Sequence, residues 1–162
     1  ASKAFSPWIY SALADNDDLQ KQRVISFTYV YWLALLMLAL AIAWLSPLVL
    51  SALGESFRSG RDILAWVALG SAFSGMYFLV VVYVFYSKKN ELLSVTSLTI
   101  GIANLVMSYL LVSKYGAVGA AQAYAASQFL MFSIVWMIAS RCCPMPWQKA
   151  LHHLISITGF RK

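Results

Sequence analysis

Charge in this chain is confined to the joints between long apolar runs. No Asp, Glu, Lys or Arg falls within residues 24–54, a run of 31 residues. The charge-free runs 63–87, 92–113 and 115–140 add 25, 22 and 26 residues. A helix crossing about 30 Å of hydrocarbon needs about 20 residues at about 1.5 Å each, so all four runs are long enough. Strands in a bilayer would show about 10 residues of alternating polarity, whereas these runs are apolar on all sides. The composition agrees, with 11% charged residues against about 25% in soluble domains. The expected fold class is therefore an all-α membrane protein of four transmembrane helices, and a soluble enzyme is excluded.

The spans are expected at about residues 24–50, 63–86, 92–112 and 118–140. The first is aromatic at its start, with Phe27, Tyr29, Tyr31 and Trp32. Pro47 follows Ser46, and the missing backbone donor predicts a kink or an early helix end there. The second carries Trp66 near one end and Tyr83, Phe85 and Tyr86 near the other, in the manner of an interfacial aromatic belt. The third is the most polar inside, with Thr96, Ser97, Thr99, Asn104 and Ser108. The fourth is rich in small residues and stops before Arg141, Pro144 and Pro146.

The flanks read as interfacial. Within residues 1–23, Phe5, Trp8, Ile9, Ala12 and Leu13 share one helical face, too short a stretch to span. Asp15, Asn16, Asp17 and Asp18 offer N-caps for a helix starting near Leu19, and lack the Gly and distal Glu of a calcium loop. In the tail, residues 141–162, Trp147, Leu151, Leu154 and Ile155 recur at helical spacing. No signal peptide is visible, and Ala1 in place of Met points to a chain that begins inside a longer protein.

Orientation follows from the loops. Four spans put the N-terminus, the loop at 88–89 and the C-terminus on one side, with Lys3, Lys21, Arg23, Lys88, Lys89, Arg141, Lys149, Arg161 and Lys162. The other side holds Arg58, Arg61 and Lys114. The excess of basic residues places both termini in the cytoplasm. The net charge of +6 is then a topology signal, and no basic face outside the membrane is large enough for nucleic acid.

The search for catalytic chemistry is nearly empty. The spans contain no ionisable acid or base, so a proton relay within these helices is not expected. Residues Gly54 to Gly60 lack the Lys-Ser/Thr of a phosphate loop, and His152–His153 has no further ligand at metal spacing. Cys142 and Cys143 are adjacent and form neither a redox pair nor a metal cluster. No cofactor and no metal are expected. Asn104, mid-span, is expected to bond to a neighbouring helix or to line a polar cavity. Gln122 and Gln128 face different directions, so at most one faces a lumen. Ala117, Ala121 and Ala125, with Gly116 and Ala120 beside them, form a stripe that lets helices approach closely. Arg58 and Arg61 either anchor the second span or meet an anionic sugar or diphosphate.

Two stretches carry a resemblance. Asn104 is followed, after an apolar run, by Lys114-Tyr-Gly-Ala-Val-Gly-Ala-Ala121, and Ala4-Phe5-x-Pro7-x-x-Tyr10 lies near the N-terminus. Together with SPLVLSALGESFRSGRDILAWVALGSAFSGMY these resemble the C-terminal part of Wzx-type polysaccharide flippases of the MOP (MATE-like) exporter superfamily. Ser113, Ser108 and Tyr124 depart from that pattern, where Pro, Asn and Thr are usual. The resemblance implies helices nine to twelve of a 12-helix, two-lobe transporter in the cytoplasmic (inner) membrane. It implies transport of an undecaprenyl-diphosphate-linked oligosaccharide for O-antigen, capsule or exopolysaccharide biosynthesis. The implied partners are that lipid-linked oligosaccharide, membrane lipids and the parent's remaining helices, and no enzymatic activity is implied. Arg58, Arg61, Tyr83, Asn104 and Ser108 are then the lumen candidates, and Gly116, Gly119, Ala120 and Ala121 the helix-packing motif. A MATE-like drug or cation antiporter, or a four-helix membrane protein without transport, stands as the alternative. A small multidrug exporter would need a membrane Glu, and a glycan polymerase a long external loop; neither is found.

Overall fold

The computed structural model describes residues 18–53 and 60–142, and the side chains of 24–46, 60 and 62–142 within them. These residues form four long helices: α1 (Asp18–Leu53), α2 (Gly60–Tyr86), α3 (Asn90–Tyr115) and α4 (Ala117–Cys142). All four are long and apolar enough to cross a membrane. Each matches one charge-free run, extended by a few residues because a helix does not stop where hydrocarbon does. The interfacial segments expected before residue 18 and after residue 142 lie outside the described residues.

Of the kink or early helix end expected at Pro47, the early end does not occur. Helix α1 runs on to Leu53. Proline removes the N–H that would donate to the Ala43 carbonyl four residues earlier. The Ser46 hydroxyl donates to that same carbonyl at 2.9 Å, which supplies the lost bond from the neighbouring side chain and lets the helix continue.

The helices do not pack in chain order. The most extensive interface joins α2 to α4; α1 lies against α2, and α3 against α4. Consecutive helices α2 and α3 barely touch, although only Ser87, Lys88 and Lys89 separate them. Lys88 turns this corner with φ 56, a left-handed conformation uncommon outside glycine.

Residues 119, 121, 123, 125 and 127 of α4 are all buried, a period of two inside a helix. At 100° per residue that pattern marks two opposite faces, so α4 is covered on both flanks. Small residues make this possible. A Cβ on Gly70 of α2 would stand 2.6 Å from the Tyr124 ring and 3.1 Å from the Ala125 Cα. A Cβ on Gly119 would collide with the Leu111 carbonyl of α3 and lie 2.9 Å from the Val112 nitrogen. Where lipid tails are as apolar as the helices, close packing of this kind is what holds them together. Of the expected motif, Gly119 and Ala121 are buried, while Ala117 and Ala120 are exposed. Ala120 is left uncovered by the other described helices. Gly116 serves the turn, with φ 58 and its N–H donating to the Val112 carbonyl at 2.9 Å.

At one end of the bundle all four helices meet. Val24, Ile25 and Trp32 of α1, Val80 to Val84 of α2, Leu93 of α3, and Phe132, Val135 and Ala139 of α4 form one apolar cluster. Trp32 stands perpendicular to Phe132 and Trp136, with ring centroids 5.1 Å and 5.6 Å away. This plug closes the end that carries the Lys88–Lys89 loop.

The packing makes a stability prediction. Gly119→Val is expected to cost about 1–3 kcal/mol through overpacking against the α3 backbone. Gly101→Val meets open space, with nothing within 4 Å of its Cβ, and is expected to cost less than about 1 kcal/mol. Thermal unfolding of the purified chain in detergent separates the two, and equal loss in both variants would refute this account of the α3–α4 contact.

Candidate functional site: an uncharged polar cleft between α2, α3 and α4

Because α2 and α3 both dock on α4 but not on each other, a cleft of about 310 Å³ opens between them. Ser74 and Tyr77 line it from α2; Ser97, Ile100, Gly101 and Asn104 from α3; Ser127, Gln128 and Met131 from α4. Asn104 lies 14 residues after the first residue of α3 and 11 before the last, so the cleft sits near mid-height of the helices. The apolar plug around Val80, Tyr83 and Phe132 forms its floor at one end.

Hydroxyls elsewhere in the helices are largely satisfied by their own backbone. Thr28 donates to the Val24 carbonyl, Thr96 to Leu92, Thr99 to Val95 and Ser133 to Phe129, each at 2.7–2.9 Å. Such side chains tolerate hydrocarbon because nothing polar is left without a partner. Thr96 and Thr99 therefore need no covering helix.

The cleft differs. Ser74, Tyr77, Ser97 and Gln128 make no side-chain hydrogen bond to another described residue. Asn104 accepts one bond from Ser108 at 3.5 Å, long enough to be weak. Its NH₂ group has no bond to a neighbouring helix among the described residues, so of the two expectations for Asn104 the structure shows the cavity-lining one. Two amides and three hydroxyls thus face an open space of ligand size, at the small end of the roughly 300–1,000 Å³ typical of binding pockets.

Gly101 supports the same reading from the backbone. Gly70, Gly75 and Gly119 each lie where a Cβ would press on a neighbour. Gly101 has no neighbour within 4 Å, yet it costs helix propensity of roughly 0.5–1 kcal/mol relative to Ala. Its effect is to keep the mouth of the cleft wide.

The other candidates fall elsewhere. Tyr83 is fully buried within the apolar plug and faces no cleft; its backbone carbonyl accepts from the Ser87 hydroxyl at 2.9 Å. Its lumen assignment is corrected, because α2 is the central helix and is covered on every side at this level. Ser108 reaches the cleft only through Asn104. Gln122 lines a separate, apolar cleft with Trp66, Phe73 and Phe129, so of the two glutamines Gln128 alone joins Asn104. Arg58 lies outside the described residues, as does the Arg61 side chain at the start of α2. Sequence reasoning missed Ser74, Tyr77 and Gly101. No periodic signal marks Ser74 and Tyr77, since α2 is apolar on nearly every face, and Gly101 has no side chain to carry one.

Among the described residues, fold and site together define four helices long and apolar enough to span a membrane, with an uncharged polar cleft among them. No protein-family model, no curated protein and no solved structure matches the chain.

If the cleft holds water, a cysteine there will meet water-soluble reagents. In a Cys142→Ser, Cys143→Ser background, Gly101→Cys is expected to react severalfold faster with N-ethylmaleimide than Leu98→Cys, because the reactive thiolate forms only where water is present. Leu98 is 69% exposed on the outer, apolar face of α3. Equal rates would show the cleft to be dry or lipid-filled.

Proposed function

We propose that this chain is the C-terminal portion of a lipid-linked-oligosaccharide flippase of the MOP type, corresponding to helices nine to twelve of a 12-helix transporter. The observation that carries the reading is the uncharged polar cleft at mid-height of the spans. A glycan cannot cross hydrocarbon unaided, because each buried hydroxyl without a partner costs several kcal/mol, of order 2–7. A transporter of glycan must therefore offer replaceable hydrogen-bonding groups within the membrane, and Asn104 and Gln128 are such groups. The resemblance of residues 104–121 to flippases supports the same assignment. An antiporter for drugs or cations would favour a carboxylate at this place, and the lining has none among the described residues.

The wide apolar faces of α1 and α3 agree with a partial lobe. Trp44 is 82% exposed, Leu105 71% and Tyr109 78%. Lipid tails cover such faces, as do further helices, and in the proposed parent the second lobe closes the cleft into a lumen. Alternation between leaflets would then open and close the floor formed by the plug.

Two experiments test this. In the full-length parent, Gly101→Trp puts a large ring at the cleft from a position whose Cβ meets nothing within 4 Å. It is expected to abolish surface polysaccharide in a flippase-deficient strain at near-normal protein level, while Gly101→Ala restores it. Residues 1–162 alone are expected to insert and fail to restore it. Normal polysaccharide with Gly101→Trp, or restoration by the 162 residues alone, would refute the reading.

Orientation is tested apart from transport. The excess of basic residues on the side of Lys88, Lys89 and Arg141 supports a cytoplasmic position for the end with Cys142. An impermeant thiol reagent should leave Cys142 unlabelled in intact cells and label it after permeabilisation. Strong labelling of intact cells would reverse the topology.

A further inference from the structure

The cleft contains more chemical information than a polar opening. Its lining supplies both donors and acceptors, since each amide of Asn104 and Gln128 offers two N–H groups and one carbonyl oxygen, and the hydroxyls of Tyr77 and Ser97 offer both. No Asp, Glu, Lys, Arg or His is among the lining residues. A ligand bearing a full charge would lose its hydration here with no counter-charge, at a cost well above that of a neutral hydroxyl. Tyr77 and Met131 add apolar surface beside the amides, as Ile100 does from α3. A ligand matched to this surface has hydroxyls that donate and accept around its rim, apolar C–H faces and no charge.

We infer that the cleft is a subsite for one uncharged sugar ring, held by Asn104 and Gln128. The cleft's volume of about 310 Å³ suits a single ring of the glycan. The inference rests on the flippase reading and deepens it in one respect: the diphosphate of the lipid carrier binds elsewhere. Selection at this subsite then acts on the neutral part of the cargo. Ring binding here is insensitive to salt, because no ion pair contributes.

The test uses the full chain in detergent or vesicles, with Gly101→Cys as reporter in the Cys142→Ser, Cys143→Ser background. A Cβ at residue 101 meets nothing within 4 Å, so the reporter disturbs no contact. N-ethylmaleimide is uncharged, and its modification rate is read in the presence of millimolar methyl glucoside, N-acetylglucosamine or glucuronate. The neutral sugars are expected to slow modification at least threefold, equally in low and high salt, and glucuronate to leave it unchanged. Adding Asn104→Leu and Gln128→Leu is expected to remove that protection. An unchanged far-ultraviolet circular dichroism spectrum of this variant shows that the helices are still in place. Absence of protection by any neutral sugar, equal protection by glucuronate, or protection that survives both leucine substitutions would overturn the inference. If protection fails while Gly101→Trp still abolishes surface polysaccharide in the parent, the sugar subsite alone is overturned. If protection holds while Gly101→Trp leaves polysaccharide normal, the flippase reading falls and the sugar site stands.

Discussion

The structure depends on how closely α4 is approached by its two neighbours. Between Gly119 and Ser127 the buried positions of α4 are Gly, Ala, Ala, Ala and Ser, with no bulky side chain on either flank. In water, such a surface would bury little apolar area. In lipid the comparison is different, because leaving lipid for protein changes the apolar environment hardly at all, and the gain comes from atoms brought into contact. Gly70 of α2 and Gly119 of α4 remove the last Cβ atoms that would hold the backbones apart.

That arrangement has a geometric consequence. Two helices seated on opposite flanks of a third are kept from each other, and here they are α2 and α3, joined by only three residues. The cleft is the space left by this separation. It closes at the end where the Lys88–Lys89 corner draws the two helices together and Tyr83, Val80 and Phe132 fill the gap. Towards mid-height they diverge, and the polar groups of all three helices collect there.

Polar side chains in these spans therefore divide into two kinds. Thr28, Thr96, Thr99 and Ser133 direct their hydroxyls to their own helix, and hydrocarbon tolerates them. Ser46 does the same for a carbonyl that Pro47 leaves without its donor. Asn104 and Gln128 have amide groups too large to be satisfied by one turn of backbone, and both face the cleft. Polarity by itself does not mark a functional position in a membrane helix. Polarity that the helix cannot absorb does.

The number of spans, their approximate limits and their helical nature were legible in the sequence. The reason is that a bilayer imposes length and forbids charge on each span separately, so each is decided by local composition. Gly116 and Gly119 were legible as well, as the punctuation of a tight turn. Which residues share a cleft was not. The spans are apolar on nearly every face, so no polar stripe tells inside from outside, and nothing local marks Tyr77 for a cleft in place of Tyr83. Only the docking of α2 and α3 on opposite flanks of α4 decided that Tyr83 is sealed in the plug while Tyr77 joins Asn104 and Gln128. Contacts between spans depend on pairs of surfaces far apart in the chain, and a single sequence, read one helix at a time, does not contain them.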